Sequence, residues 1–351
     1  MLVASVVILG LLAGLLIRET LPLPRPLIFI LLGMAIRLIA GPGASGAILA
    51  TATDVGLYAL LFGVGYELAT LGHRPLGLHG VSLASAGAVT MGLLSWTLLA
   101  LSGETQLQAA LIALAAVPTS AGIAAGVLRR MAREPGRLLP EVIKAAVADD
   151  MIGLGILAAL PLIARSAGLN PVSGAVALAT ALVLAALALL AKERHAKHAP
   201  LLAVLATVAG AATGVSAGLT GVFSGYLLSD ARRLLTSRVA KEAVHALPAL
   251  FFTGSGYLLD LPALGSPGTL ATVGLLLVAL AISRAVIALL AGGSNRHRVG
   301  VGAGMTPRGE VTIALAIGLV PLVGAQGFAV LIGLVIASTL ATTALFAPKR
   351  L

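Results

Sequence analysis

Apolar runs long enough to cross a bilayer recur from one end of this sequence to the other, and nothing else in it constrains the fold as strongly. A hydrocarbon core about 30 Å thick needs roughly 17–25 apolar residues in a helix. Only helices and closed barrels satisfy their backbone hydrogen bonds there. Runs bounded by glycine, proline and charge occupy 2–17, 26–40, 53–71, 77–101, 106–128, 138–164, 171–191, 199–214, 216–229, 244–263, 268–292, 298–322 and 326–347. These thirteen segments predict an all-α polytopic membrane protein that contacts lipid over most of its surface. With 59% hydrophobic and 10% charged residues, no stretch is polar enough to form a separate soluble domain.

The net charge of +10 does not point to nucleic acid, because the basic residues form short caps between apolar runs with no aromatic interleaving. The absence of cysteine removes disulfides, thiolate metal sites and cysteine nucleophiles together. The first run lacks a basic leader, and Arg18-Glu19 follows where a small-residue cleavage site would be needed, so it reads as a retained helix.

Loop charges test the segment count. Odd-numbered connections and the C-terminal end carry eighteen Lys and Arg residues, and even-numbered connections carry only Arg165. One missed or invented helix would swap the parity of every later loop, so this bias supports thirteen segments. It predicts the N-terminus outside and the C-terminus in the cytoplasm of an inner membrane.

Two segments are poor continuous helix. The fifth contains Pro118-Thr119-Ser120-Ala121-Gly122, and the twelfth contains Gly302 through Gly309 with Pro307 inside it. Irregular backbone at membrane depth is tolerated where it is buried in protein or lines a cavity. The two breaks lie seven segments apart, so their helices run in opposite directions. That is an inverted repeat, segments 1–6 and 8–13 flanking a linker helix, with the breaks marking the transport site.

Among the basic residues, Arg37 and Lys144 lie near helix ends and can snorkel, which leaves Arg284 and Arg308 in the membrane. Among the acids, Asp149, Asp150 and Glu310 remain. Each costs several kcal/mol there unless paired, so their default reading is functional. Neighbours on a helix point about 100° apart, so one partner cannot satisfy both aspartates. In the arrangement expected, Asp149 pairs with a basic group on a facing helix while Asp150 looks into the cavity and binds a monovalent cation. Arg284 is the expected basic partner, roughly 12 Å from the inner end against roughly 16 Å for Asp149. A cation and a proton that compete for one carboxylate, exposed to each side in turn, suffice for antiport. Carbonyls at the unwound ends, with the Thr119 and Ser120 hydroxyls, are expected to help hold the cation. Arg308 and Glu310, beside the second break, are supporting candidates that would pair locally or neutralise helix ends.

Val117-Pro118-Thr119-Ser120-Ala121-Gly122-Ile123, Ala146-Val147-Ala148-Asp149-Asp150-Met151-Ile152-Gly153-Leu154 and Gly304-Met305-Thr306-Pro307-Arg308-Gly309-Glu310-Val311 together resemble the monovalent cation:proton antiporters of the CPA2 group, most closely the NapA-type sodium/proton antiporters. The resemblance spans nearly the whole chain and implies an NhaA-like fold and a homodimer. Residues 1–71 and 199–263 would form a dimerisation panel, 77–164 and 268–347 the core transport domain, and 171–191 the linker helix. The family's carrier role falls on Asp150, and the first aspartate would pair with the basic residue of segment 11. Electrogenic members have lysine there, whereas this chain has Arg284, which cannot readily release its proton. Asp-Asp with arginine is similar to NHA-type members and implies electroneutral exchange of sodium, with lithium or potassium as alternatives.

No cofactor is expected, and no enzymatic activity. An intramembrane aspartyl protease needs aspartates from two helices, whereas Asp149 and Asp150 are adjacent on one. A sodium-coupled solute symporter of the same fold is the alternative, separable by substrate-driven sodium uptake without proton movement.

Overall fold

The structure, a computed structural model, describes residues 23–41, 46–71, 77–131, 138–166, 199–213, 217–229 and 238–346. They form thirteen helical stretches and no strand. In chain order these are α1 Arg25–Ala40, α2 Gly46–Leu71, α3 Gly77–Leu101, α4 Gln106–Ala115, α5 Ala121–Met131, α6 Leu138–Ser166, α7 Ala199–Thr213, α8 Ala217–Leu228, α9 Arg238–Leu258, the single turn α10 Leu261–Leu264, α11 Pro267–Leu290, α12 Asn295–Gly304 and α13 Glu310–Phe346. The expected segments 2–17 and 171–191 lie outside the described residues.

Most elements follow the apolar runs, and the departures have local causes. Segment 53–71 begins earlier, at Gly46, because Thr51, Thr53 and Asp54 dilute a run that is helical throughout. Segment 244–263 begins at Arg238 and ends at Leu258. Its charged first turn extends the helix past the apolar stretch, and Asp260 then caps a separate turn with Pro262 near its start. Segments 298–322 and 326–347 are divided at Gly324, whose φ of 69° is left-handed backbone that glycine adopts without a Cβ clash. Leu78–Leu101, Pro267–Leu290 and Glu310–Phe346 are long and apolar enough to cross a membrane on length and composition. Large apolar side chains such as Leu38, Leu101 and Leu289 face outward, as a lipid-facing surface requires.

The chain divides into two compact units. The first contains α2 and α7 to α9 with most of α1. Its helices approach through small residues: a Cβ on Gly221 or Gly225 of α8 would run into the backbone of Tyr58 or Phe62 of α2. This i, i+4 glycine spacing is a membrane packing device that lets backbones touch. Arg37 Nη1 donates to the Tyr257 carbonyl (3.0 Å), and the Tyr257 hydroxyl donates to the Gly41 carbonyl (2.9 Å), tying α1 to α9.

The second unit contains α3 to α5, most of α6, and α10 to α13. Leu83, Ala124, Leu128, Val142, Ala145, Ala146, Ile287, Val301 and Met305 form one buried cluster that draws together α3, α5, α6, α11 and α12. Ser283 Oγ donates to the Gly87 carbonyl (2.9 Å), fixing α11 on α3. At one end of the unit the Glu141 carboxylate meets His79 Nε2 (3.3 Å) and His297 Nε2 (2.8 Å), joining α3, α6 and α12.

Candidate ion-binding site at two helix breaks

Both expected breaks are present within the second unit. Helix α4 stops at Ala115 and α5 starts at Ala121, and α12 stops at Gly304 and α13 starts at Glu310. Pro118 and Pro307 sit inside the gaps, where each lacks an N–H and disfavours helical backbone in the residue before it. Ser120 N–H donates to the Pro307 carbonyl (2.8 Å), so the two irregular segments are joined directly.

Ser120 also caps α5, because its Oγ accepts from Ile123 N–H (3.1 Å), and it donates to Glu310 Oε2 (2.5 Å). Glu310 opens α13, where a carboxylate suits the positive end of the helix dipole. Thr119 is the centre of the arrangement. Its N–H donates to Asp149 Oδ2 (2.9 Å), and its hydroxyl donates to the Met305 carbonyl (3.2 Å). The same hydroxyl oxygen accepts from Arg308 Nη1 (2.7 Å) and Arg284 Nη1 (3.4 Å). A hydroxyl has one hydrogen and two lone pairs, so Thr119 Oγ is fully used. Arg284 Nη1 lies 2.6 Å from the Met305 carbonyl, and its Nη2 donates to Ser283 Oγ (3.2 Å).

Three site expectations change. Asp149 was expected to pair with Arg284, but the guanidinium in ion-pair range is that of Arg308, with Nη1 3.9 Å from Asp149 Oδ2. The depth reached along two facing helices pointed to Arg284, but the break turns Arg308 into the same space and Met305 takes up Arg284. Thr119 was expected to offer its hydroxyl to a cation, but that hydroxyl holds two guanidinium groups and has no lone pair left. Of the two roles expected of Arg308 and Glu310, local pairing gives way, since Arg308 reaches Thr119 and Glu310 reaches Ser120, each on the opposite break, while Glu310 stands at the helix end.

Asp149 and Asp150 are 1% and 2% exposed, and Arg284, Arg308 and Glu310 are likewise buried. Asp149 Oδ1, Arg284 Nε, and Arg308 Nε and Nη2 have no hydrogen-bond partner among the described residues. Buried polar atoms left in this condition cost free energy. The sequence reading missed Ser338, whose Oγ accepts from Arg308 N–H (3.0 Å) and anchors the break from the far end of α13; a serine in an apolar run carries no signal of that role.

Gly153 lets α6 reach the break. It lies one turn after Asp149, and a Cβ there would stand 2.5 Å from Pro118 Cγ and 2.7 Å from Val311 Cγ1. Gly153→Val is therefore expected to push the aspartate helix off both breaks. The maximal ion flux in vesicles should fall by at least about tenfold, with a lowered unfolding temperature. Unchanged flux would mean that α6 needs no such contact.

Crossed broken helices beside buried carboxylates define an ion transporter and not an enzyme. The family model described as "Sodium/hydrogen exchanger, transmembrane" matches residues 4–348, and the chain belongs to that family of monovalent cation:proton antiporters. Among solved structures, the chain is similar to the sodium proton antiporter MjNhaP1 from Methanocaldococcus jannaschii. The TM-score is 0.66 at 18% identity, over 97% of this chain and 95% of that one, a likeness of fold. No curated protein matches the sequence.

Proposed function

We propose that Asp150 is the group for which a monovalent cation, sodium, and a proton compete, and that the second unit carries it between the two faces of a cell membrane by alternating access. The observation that supports this reading best is the charge of the buried centre. Among the described residues the buried charged side chains are Asp149, Asp150, Glu310, Arg284 and Arg308. Three carboxylates against two guanidiniums leave one negative charge when all are ionised. One sodium ion cancels it, and so does one proton. Both loaded forms are then neutral, the condition under which a charged centre crosses low dielectric at least cost. Arginine keeps its proton where lysine could surrender one, so exchange is one for one and electroneutral.

In this reading Asp149 and Arg308 form the fixed part of the centre, Thr119 and Arg284 hold the crossing in shape, and Ser120 with Glu310 closes its other side. The first unit serves as the panel of a homodimer, and the loop-charge bias places the C-terminus in the cytoplasm. Vesicles carrying a pH gradient, reported by a quenched dye, test the cation: dequenching is expected on adding sodium, with lithium and potassium as comparisons. Dequenching by potassium alone would contradict sodium as substrate.

Competition also fixes a pH dependence. Where the proton outcompetes the cation for Asp150, each unit of lowered pH is expected to raise the apparent sodium KM about tenfold at nearly constant maximal rate. A maximal rate that falls while KM stays level would argue for a proton site apart from the cation site.

A further inference from the structure

A cleft of about 740 Å³ opens in the second unit between α11, α12 and the end of α13, on a side of the arginines that the exchange reading does not use. Its walls are apolar, formed by Leu277, Ala281, Ala285, Ala288, Val299 and Leu345. Polar groups in its lining are few. Asn295 and Arg298 stand at one end, and Arg284 with Thr306 reaches the interior. Leu277 to Leu289 spans twelve helical steps, about 18 Å, close to the depth of one leaflet's hydrocarbon in a core about 30 Å thick. Arg298 is held at the mouth by donating to the Ala288 carbonyl (3.1 Å) and the Leu289 carbonyl, and exposed Arg296 lies two residues away on the same helix. The mouth therefore carries fixed positive charge on the face that the loop-charge bias assigns to the cytoplasm. The slot behind it has room for a chain but almost nothing to bond to one.

We propose that this cleft binds an anionic phospholipid of the cytoplasmic leaflet, with its phosphate at the Arg298 and Asn295 end and an acyl chain along α11. An apolar slot alone would accept any lipid tail; the Arg298 guanidinium at its membrane-surface end favours a negative headgroup. The proposal rests on the membrane orientation used above and not on the exchange chemistry.

The test is binding of phosphatidylglycerol and of phosphatidylcholine with the same acyl chains to the purified full-length protein in detergent. It is read by native mass spectrometry and by the shift in unfolding temperature. Ala281 and Ala285 are exposed on the cleft side of α11, so Ala281→Trp and Ala285→Trp fill the slot without entering the packed core. Phosphatidylglycerol is expected to bind at least about tenfold more tightly than phosphatidylcholine, and each tryptophan variant to lose that preference. Arg298→Gln should lose it while leaving the slot open. Equal binding of the two lipids by the unaltered protein would overturn the proposal. Phosphatidylglycerol preference that survives both tryptophans would also overturn it. A shift from dimer to monomer in the tryptophan variants with lipid binding unchanged would make the cleft a face between copies, again overturning it. Because these readouts measure lipid and not ion flux, they succeed or fail independently of the exchange reading.

Discussion

Asp150→Asn should abolish cation-dependent proton movement while the protein still folds. The amide has nearly the shape of the carboxylate but neither binds a proton near neutral pH nor carries the charge that draws a sodium ion out of water. The neutral side chain also removes a buried charge, 2% exposed, whose desolvation opposes folding. The unfolding temperature in detergent should therefore stay level or rise. Flux should fall by at least about a hundredfold, roughly 2.7 kcal/mol of lost transition-state stabilisation. Retention of more than a few per cent of the original rate, in protein of normal melting behaviour, would remove Asp150 from the carrier role. Asp149→Asn is the informative neighbour, because Asp149 already accepts from Thr119 N–H and faces Arg308.

The second large effect concerns that pair. Arg308 is 0% exposed and keeps one bond to Thr119 Oγ, so its charge is balanced chiefly through Asp149. Arg308→Gln leaves the buried centre with two negative charges in excess, and Asp149→Asn leaves two guanidiniums facing one carboxylate fewer. Breaking one side of a buried pair costs about 3–5 kcal/mol, and removing both sides costs far less. Each single variant is thus expected to lower the unfolding temperature sharply, and the double variant to recover most of the loss. A coupling above about 1 kcal/mol in the double-mutant cycle would establish the pair. Additive losses would mean that Arg308 is held by the break itself through Thr119 and Ser338, with Asp149 answering to Arg284.

How far the sequence discloses this protein depends on how local each signal is. The fourth apolar run coincides with α3 at both ends because glycine and charge bound it on each side. The two breaks are legible because proline acts on its own neighbours, and Pro118 and Pro307 interrupt helix whatever packs against them. The Asp149-Asp150 pair is legible for a similar reason, since two adjacent carboxylates in an apolar run need a purpose. Partner choice is different. Which arginine meets Asp149 depends on how the chain leaves Pro307, and no spacing rule applies across an unwound segment. Thr119 shows the same limit: its residue type allows it to bind a cation or to orient guanidiniums, and only the positions of Arg284 and Arg308 decide that both lone pairs are taken. Ser338 lies thirty residues beyond Arg308 and touches it only because α13 folds back beside the break.

The most direct measurement is the point at which flux reverses. Protein in sealed vesicles, with membrane potential clamped by potassium and valinomycin, is given a fixed sodium ratio, and the pH ratio at which proton movement stops is recorded. One sodium exchanged for one proton at Asp150 predicts that flux stops when the proton ratio equals the sodium ratio. It also predicts that the stopping point stays there when the potential is changed by about 60 mV, because no net charge crosses. A stopping point that moves with the potential, or proton movement that ignores the sodium ratio, would contradict electroneutral exchange through a single shared carboxylate.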